Sequence, residues 1–136
     1  MLHLKVTTPR KLVKDMQIDS ITVPSAAGEI TILPQHEHLL SLLQEGIITI
    51  RTKNEEEYLA IGGGYIETDG KTINILVSRA YNQDEIDEET TRQAVEKAKQ
   101  MLEDKENKTD RGDANALLRR SLVDIKLLRK ARKRSS

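Results

Sequence analysis

The sequence predicts an α+β protein, with an N-terminal antiparallel β-sandwich over residues 1–84 and a C-terminal antiparallel two-helix hairpin over residues 85–136. Two observations lead to this prediction. Up to about residue 80, apolar and polar residues alternate with a period of two, which places one face of each strand in a core. After residue 84 the apolar residues recur at intervals of three and four, as on amphipathic helices. Because no helical pattern interrupts the strands, an antiparallel sandwich or barrel is favoured.

The strand alternation is clearest in four segments, Leu2–Val6, Ile21–Val23, Ile30–Ile32 and Ile73–Val77. Breaks separate the strands at four places, Pro9-Arg10, Ser25–Gly28, Lys53–Glu56 and Asp69-Gly70. Asp-Gly between two strand patterns predicts a tight hairpin. With only three aromatic residues, all tyrosines, the core must be built from aliphatic side chains.

The first helix is expected over about 87–105, with an acidic first turn that suits the positive end of a helix dipole. Its apolar stripe consists of Thr91, Ala94, Val95, Ala98, Met101 and Leu102. After a polar break at 107–112, the second helix is expected over about 113–132, with Asp113 as its N-cap. Its stripe consists of Ala114, Leu117, Leu118, Ser121, Leu122, Ile125 and Leu128. Neither helix is apolar enough to be stable alone, so we expect the two to pair as a hairpin.

Composition argues against an enzyme. The chain has no cysteine, which excludes thiolate nucleophiles and cysteine-bound zinc, and it has no nucleophile-elbow motif. No cofactor is expected. The few aromatic residues make nucleic-acid binding by base stacking improbable. The first 20 residues contain no apolar segment of the signal-peptide kind, and no run reaches the roughly 18 apolar residues of a spanning helix.

Two short motifs permit a chemical reading beside a structural one. His36-Glu37-His38 could contribute to a metal site, but zinc needs three or four converging ligands and the third histidine, His3, is remote in sequence. A surface or contact loop without metal is therefore expected. Gly62-Gly63-Gly64 lacks the Gly-Lys-Ser/Thr ending of a phosphate loop, so we expect close backbone approach or a bulge in the sheet.

Charge is strongly segregated along the chain. Residues 111–136 contain nine Lys/Arg and two Asp, a net charge of +7, and the other 110 residues carry −7. Basic residues on a terminal helix can simply solubilise it. A cluster this dense also favours contact with an acidic protein, a nucleic acid or an anionic lipid.

Two motifs resemble the epsilon subunits of bacterial and chloroplast ATP synthases. The first lies within Ile21–Leu40 and matches the family at Gly28, Glu29, Pro34 and His36, with departures at Thr31, Glu37 and His38. The second, Leu59–Glu67 followed by Ile73–Val77, is similar to a strand pair of that family. A weaker match joins Asp84–Asp87 with Ala116–Arg120.

The resemblance implies a non-catalytic rotor subunit that couples ion translocation to ATP synthesis. Its β-sandwich would bind the gamma subunit and the ring of c subunits, and it would reach the membrane only through the complex. The implied c-ring contact loop comprises Glu29, Pro34, Gln35, His36, Glu37 and His38. The implied location is peripheral, on the cytoplasmic face of a bacterial inner membrane, with the stromal side of a thylakoid as the alternative.

The resemblance also implies that the C-terminal helices restrain ATP hydrolysis by contacting the catalytic beta and alpha subunits. The implied inhibitory residues are Arg119, Arg120, Lys126, Arg129, Lys130, Arg132, Lys133 and Arg134. Some members of the family bind ATP in the compact hairpin, and the candidates here are Asp87 and Arg120. Thr90 and Asp124 stand where two arginines are expected, so ATP binding should be weak or absent. The alternative function is a free-standing module whose basic helix engages RNA or anionic lipid.

Overall fold

The computed structural model describes residues 1–35, 38–103 and 111–135, and the chain separates into two compact units, Met1–Asn82 and Gln83–Ser136. These units divide two residues before the boundary expected at 84/85. In the first unit the described strands are β1 (Leu2–Thr7), β2 (Leu12–Ile18), β3 (Ser20–Ser25), β4 (Gly28–Ile32), β5 (Leu39–Leu43), β6 (Gly46–Thr52), β7 (Glu55–Ile61), β8 (Gly64–Thr68), β9 (Thr72–Val77) and β10 (Ala80–Tyr81). The second unit contains a 3₁₀ turn (Gln83–Glu85) and two helices, α1 (Glu88–Glu103) and α2 (Arg111–Ser135).

The strands form two layers. One layer has the order β10-β7-β6-β3, with β4 on the free side of β3, and the other has the order β5-β8-β9-β1-β2. A single antiparallel pair, Ser25 with Leu43, joins them. The pairs are antiparallel except β1 with β9, which are parallel in the register His3–Thr72 to Thr7–Leu76. The antiparallel sandwich expected from the sequence is therefore confirmed, with one parallel pair added.

An aliphatic core fills the space between the layers, as the scarcity of aromatic residues required. Its fully buried side chains come from both layers, for example Ile21 and Ile48 from one and Leu4, Ile66 and Ile75 from the other. At about 25 cal/mol per Å² of apolar surface removed from water, each such side chain contributes roughly 1.5–3 kcal/mol. The four alternating segments all form strands, and their apolar residues lie in this core or pack against it, except Leu76, which is exposed.

Turns appear where the breaks were expected, with one adjustment. The carboxylate Oδ1 of Asp69 accepts hydrogen bonds from the N–H groups of Lys71 (2.9 Å) and Thr72 (2.8 Å), and Gly70 adopts φ 92°. The break at Lys53–Glu56 is shorter than expected, because Lys53 and Asn54 alone form the turn and Glu55 already begins β7. Asn54 supplies the left-handed conformation there, with φ 74°.

The three glycines differ: Gly64 allows the expected close backbone approach, Gly62 lies against side chains, and Gly63 has ordinary space around it. A Cβ atom on Gly64 would lie 1.9 Å from the carbonyl oxygen of Leu76, which no neighbour could relieve because the contact is with backbone. A Cβ atom on Gly62 would lie 2.1 Å from Ser78 Oγ. Gly64 thus lets β8 lie close to the backbone of β9, and Gly62 leaves room for the side chains of Ser78 and Arg79.

The helix α1 begins after an N-cap at Asp87, whose Oδ1 accepts the N–H of Thr90 at 3.0 Å. Its buried residues, Thr91, Val95 and Ala98, belong to the expected stripe. Residues 104–110, which include the end of the first predicted helix and most of the polar break, lie outside the described residues.

The helix α2 corrects three expectations. It begins at Arg111, so Asp113 lies within its first turn and is not the N-cap. It extends to Ser135 rather than 132. Its fully buried leucine is Leu127, which the stripe omitted, whereas Leu122 was placed in the stripe but is 49% exposed. The two helices pack against each other, and the short connection between them suits the expected antiparallel hairpin.

Candidate interaction surfaces

The predicted c-ring contact loop lies at one end of the sandwich. Pro34 and Gln35 form an exposed turn after β4, and the exposed His38 precedes β5, whereas His36 and Glu37 lie outside the described residues. Gln35 adopts φ 66°, uncommon for a residue other than glycine, and its N–H donates to the carbonyl oxygen of Gly70 at 2.9 Å. This hydrogen bond joins the Pro34–Gln35 turn to the β8–β9 turn.

Electrostatics at this end centre on Asp69. The backbone N–H groups of Thr72 and Lys71 hold the pKa of its carboxyl below the usual value, and His38 adds a smaller lowering contribution. The carboxylate is thus ionised at neutral pH, and it accepts hydrogen bonds from backbone N–H groups of its own turn. It is a structural group rather than a free acid for catalysis.

Glu29, which the prediction groups with this loop, lies within β4, and its contact with the c ring stays a prediction. It lies near the start of β4, paired with Pro24, whereas Pro34 follows the end of that strand. Five residues of extended chain separate the two, about 16 Å at the usual rise of a strand. Glu29 therefore lies near the start of β4, and Pro34 lies beyond its end.

An exposed apolar row crosses the outer face of the β5-β8-β9-β1-β2 layer, and sequence reasoning missed it. The row follows residues that are paired directly across neighbouring strands. In the order β5, β8, β9, β1 and β2 these residues are Leu42, Tyr65, Leu76, Thr7 and Leu12. The apolar members, together with Leu40 two residues before Leu42, are between 38% and 72% exposed. Five strands at about 4.8 Å give the row a length of roughly 19 Å. We call Leu12, Leu40, Leu42, Tyr65 and Leu76 the apolar row.

The outer face of the other layer is polar at the corresponding place. Its paired residues are Thr31, Thr22, Thr49 and Tyr58. The hydroxyls of Thr22 and Thr31 lie 2.8 Å apart, and the guanidinium of Arg51 donates to Thr22 Oγ1 at 2.8 Å. The two outer faces of one sandwich therefore have opposite chemistry, and the apolar row is the exception to the usual polar covering.

Basic residues line an exposed face of α2. Arg119, Leu122, Lys126 and Arg129 follow one another at intervals of three, four and three, so they share one side of the helix, and all four are exposed. Arg120 is exposed on the adjacent side and Lys130 is half-buried. Arg132, Lys133 and Arg134 lie on the last turns of the same helix. The predicted basic residues thus all belong to α2. Three of them, Arg119, Lys126 and Arg129, lie on the same side of the helix as the exposed Leu122.

The two candidate ATP-binding residues, Asp87 and Arg120, are associated with different helices. Asp87 caps α1, and the backbone N–H of Thr90 holds the pKa of its carboxyl below the usual value. Thr91 Oγ1 also donates to the Asp87 carbonyl oxygen at 2.8 Å. Arg120 belongs to the middle of α2 and faces outward. The carboxylate of Asp87 therefore serves the helix start.

Metal sites and membrane spans can be assessed for the described part of the chain. Among those residues, no cluster of three or more His, Cys, Asp or Glu side chains is placed to bind a metal ion. None of the helices described is both long and apolar enough to cross a membrane.

Comparison with known proteins identifies the family. Residues 1–83 match the family model of the β-sandwich domain of ATP synthase delta/epsilon chains. The ATP synthase epsilon chain of Moorella thermoacetica is 34% identical over 126 residues, which cover 92% of this chain and 94% of that one. The chain belongs to the ATP synthase epsilon-chain family.

The similarity extends across bacterial and chloroplast members. The epsilon chain of Herpetosiphon aurantiacus is 32% identical over 98% of both chains, and the chloroplastic epsilon chain of Marchantia polymorpha is 31% identical over 98% of this chain and 99% of that one. Among solved structures, a chain in the Euglena gracilis mitochondrial ATP synthase aligns with a TM-score of 0.71 at 19% identity, covering 97% of this chain and 79% of the other. That likeness supports the fold.

Membership of this family settles the broad class of function. The chain is a non-catalytic subunit of an ATP synthase and is associated peripherally with the membrane complex. The alternative of a free-standing module that binds RNA or anionic lipid gains no support from these relatives.

Proposed function

We propose that this epsilon chain turns with the central stalk of its ATP synthase, docked through its β-sandwich on the gamma subunit and the c ring, and so takes part in coupling ion translocation to ATP synthesis. The apolar row carries this proposal. Leucine and tyrosine side chains form an exposed apolar band that crosses five strands. An isolated soluble domain gains no stability from exposing such a band, whereas burial against a partner would remove it from water. We assign this band to the gamma contact.

The c-ring contact is proposed at the turn that carries Pro34 and Gln35 and continues to His38, with His36 and Glu37 in the same segment of sequence. The hydrogen bond from Gln35 to Gly70 supports it, because a fastened loop loses less conformational entropy on binding than a free one. Glu29, at the other end of β4, would require a separate contact. The complex would present this surface at the cytoplasmic face of a bacterial inner membrane.

Regulation of ATP hydrolysis is proposed for the helical unit. The exposed face formed by Arg119, Lys126 and Arg129 is suited to acidic surface on the catalytic beta and alpha subunits, and Leu122 provides an apolar contact among these charges. The net charge of +7 over residues 111–136 would accelerate the approach to such a surface. High salt should weaken the effect, because exposed charges are screened.

The experiment is ATP hydrolysis by an alpha–beta–gamma complex to which either the full chain or a chain ending at Asn82 is added. We expect both to bind and only the full chain to slow hydrolysis. A full chain carrying Lys126→Glu and Arg129→Glu should bind as well as the original and inhibit less. If both chains bind and neither inhibits, regulation by the helices is wrong. If neither binds to subunits from the same source, the docking proposal is wrong.

ATP binding by the chain itself is proposed to be weak or absent. Asp87 is engaged as an N-cap, and Thr90 and Asp124 leave the phosphates without two of the expected positive charges. Isothermal titration calorimetry of the full chain with ATP should show no saturable signal at millimolar concentration. A saturable signal lost in Arg120→Ala would contradict this expectation.

A further inference from the structure

The segment Ser78–Tyr81 is where the chain leaves the sandwich, and backbone hydrogen bonds hold it to the neighbouring strands. The Ser78 N–H donates to the carbonyl oxygen of Gly63, and the Gly62 N–H donates to that of Arg79, both at 3.0 Å. The strand β10 then adds only two residues to the edge of β7. The following residue pair, Asn82 and Gln83, marks the division between the two compact units.

An ion pair supplements these contacts. The guanidinium Nη2 of Arg79 meets the carboxylate of Glu45, which belongs to the turn between β5 and β6. The side chains are 30% and 28% exposed, so water screens the pair only in part. Gly62 makes room for it, since a Cβ atom there would lie 2.8 Å from Arg79 Nη1 and 3.2 Å from Arg79 Cγ.

The arginine is held without a full set of hydrogen bonds. Its Nε is buried and has no hydrogen-bond partner among the described residues. A guanidinium placed in this way depends on its one carboxylate, because loss of that partner would leave a partly buried positive charge uncompensated. The expected response is movement of the Arg79 side chain toward water, and with it the backbone that carries the Arg79 carbonyl oxygen.

We propose that the Arg79–Glu45 pair is a positioning latch that fixes the path of the chain as it leaves the sandwich, and thereby sets how strongly the C-terminal helices restrain ATP hydrolysis. The second half of this statement rests on the regulatory function proposed above. The first half concerns the sandwich alone. Arg79 and Glu45 act through the Ser78–Tyr81 segment, so they are positioning residues.

The first test is amide hydrogen exchange on the full chain carrying Glu45→Gln. The amides of Gly62 and Ser78 should exchange about fivefold faster than in the original chain, the scale expected for losing one partly exposed ion pair. Glu45→Asp, which keeps the charge, should restore most of the protection. Glu57→Gln is the matched control, because it removes a pair of similar exposure with Lys14, at 33% and 25%, away from this segment.

The second test measures ATP hydrolysis by the alpha–beta–gamma complex with the same variants at saturating concentration. Glu45→Gln should change the extent of inhibition without changing affinity for the complex, whereas Glu45→Asp and Glu57→Gln should inhibit like the original chain. Unchanged exchange at Gly62 and Ser78 would overturn the latch. Faster exchange with unchanged inhibition would overturn its regulatory role. If the original chain itself fails to inhibit, the regulatory function is wrong, and the exchange result alone decides whether the latch exists.

Discussion

The sandwich and the helical unit bury very different side chains. The sandwich encloses large aliphatic residues from both layers, many of them fully buried, such as Leu4, Ile48 and Ile75. Among the described residues of the helices, the buried set is dominated by small side chains: Thr91, Val95, Ala98, Ala114, Ser121 and Leu127. Since hydrophobic stabilisation scales with the apolar area buried, the helical unit has much less of it.

This difference assigns the two units different mechanical roles. A unit with a sealed aliphatic core keeps one arrangement and can serve as a dock. Helices that bury little apolar surface depend on what they pack against, since most helical stability in proteins comes from tertiary packing. A surface of suitable charge on a partner protein can therefore compete with the packing of the two helices against each other. A regulatory element that changes its contacts requires such competition.

Removing a core side chain from the sandwich should have the largest effect. Ile75→Ala should lower the free energy of unfolding by about 2–5 kcal/mol, because the side chain is fully buried and leaves a cavity. The neighbouring Leu76→Ala is the control, since Leu76 is 42% exposed on the outer face. Urea denaturation measures both. Equal losses would show that the core is not where the structure places it.

Leu127→Ala should cost less and act on the other unit. We expect a loss of roughly 2 kcal/mol, at the low end for a buried leucine, because the small neighbouring side chains can close part of the cavity. Far-ultraviolet circular dichroism during heating should show the helical signal lost at lower temperature while the sandwich unfolds as before. Leu122→Ala, on the exposed side of the same helix, should change neither transition. Simultaneous loss of both units would contradict their energetic separation.

The two outer faces of the sandwich can be compared in the same way. Leu42→Gln should weaken binding to the gamma subunit about tenfold, the scale of a substantial contact residue, while leaving the free energy of unfolding nearly unchanged. Thr31→Gln, an exposed substitution on the polar face, is the matched control. Surface plasmon resonance with immobilised gamma subunit measures both affinities. If Thr31→Gln weakens binding and Leu42→Gln does not, the polar face is the dock.

Acid should produce the smallest effect, through one carboxylate in each unit. Backbone N–H groups lower the pKa of Asp69 in the sandwich and of Asp87 at the start of α1. Their stabilisation is complete above the unfolded value of 3.8 and is lost as the pH falls through the lower folded-state pKa. NMR titration of the side-chain carboxyls should show both midpoints below that value. A midpoint for Asp87 at its ordinary value would mean that the N-cap is not formed in solution.

The sequence predicted those strands whose two faces differ in polarity, such as β1 and β9. The strand β6 is not among the predicted strands, because the adjacent Ile47 and Ile48 interrupt the alternation, although Ile48 and Ile50 lie in the core. Tyr65 and Leu76 did carry a signal for the apolar row. Each is an apolar residue at a position that the alternation assigns to solvent.

Other errors came from three-dimensional features that a periodic pattern does not contain. A stripe counted from Ala114 in steps of three and four reaches Ile125 and Leu128, and it passes over Leu127, which is fully buried in the structure. Asp113 is a good N-cap residue type, but the helix begins earlier, at Arg111. Glu29 and Pro34 are close in sequence, yet Glu29 lies near the start of β4 and Pro34 follows its end.

The parallel pairing of β1 with β9 has a consequence for how this protein is made. The strand β1 cannot be paired on that side until Thr72–Leu76 have also left the ribosome. The sandwich therefore closes late during synthesis, and nascent chains that stop before β9 would expose a strand edge. Once β9 has paired with β1, the helices are the last large elements of the chain to emerge. The pairing of β1 with β9 is thus complete before the helices have emerged.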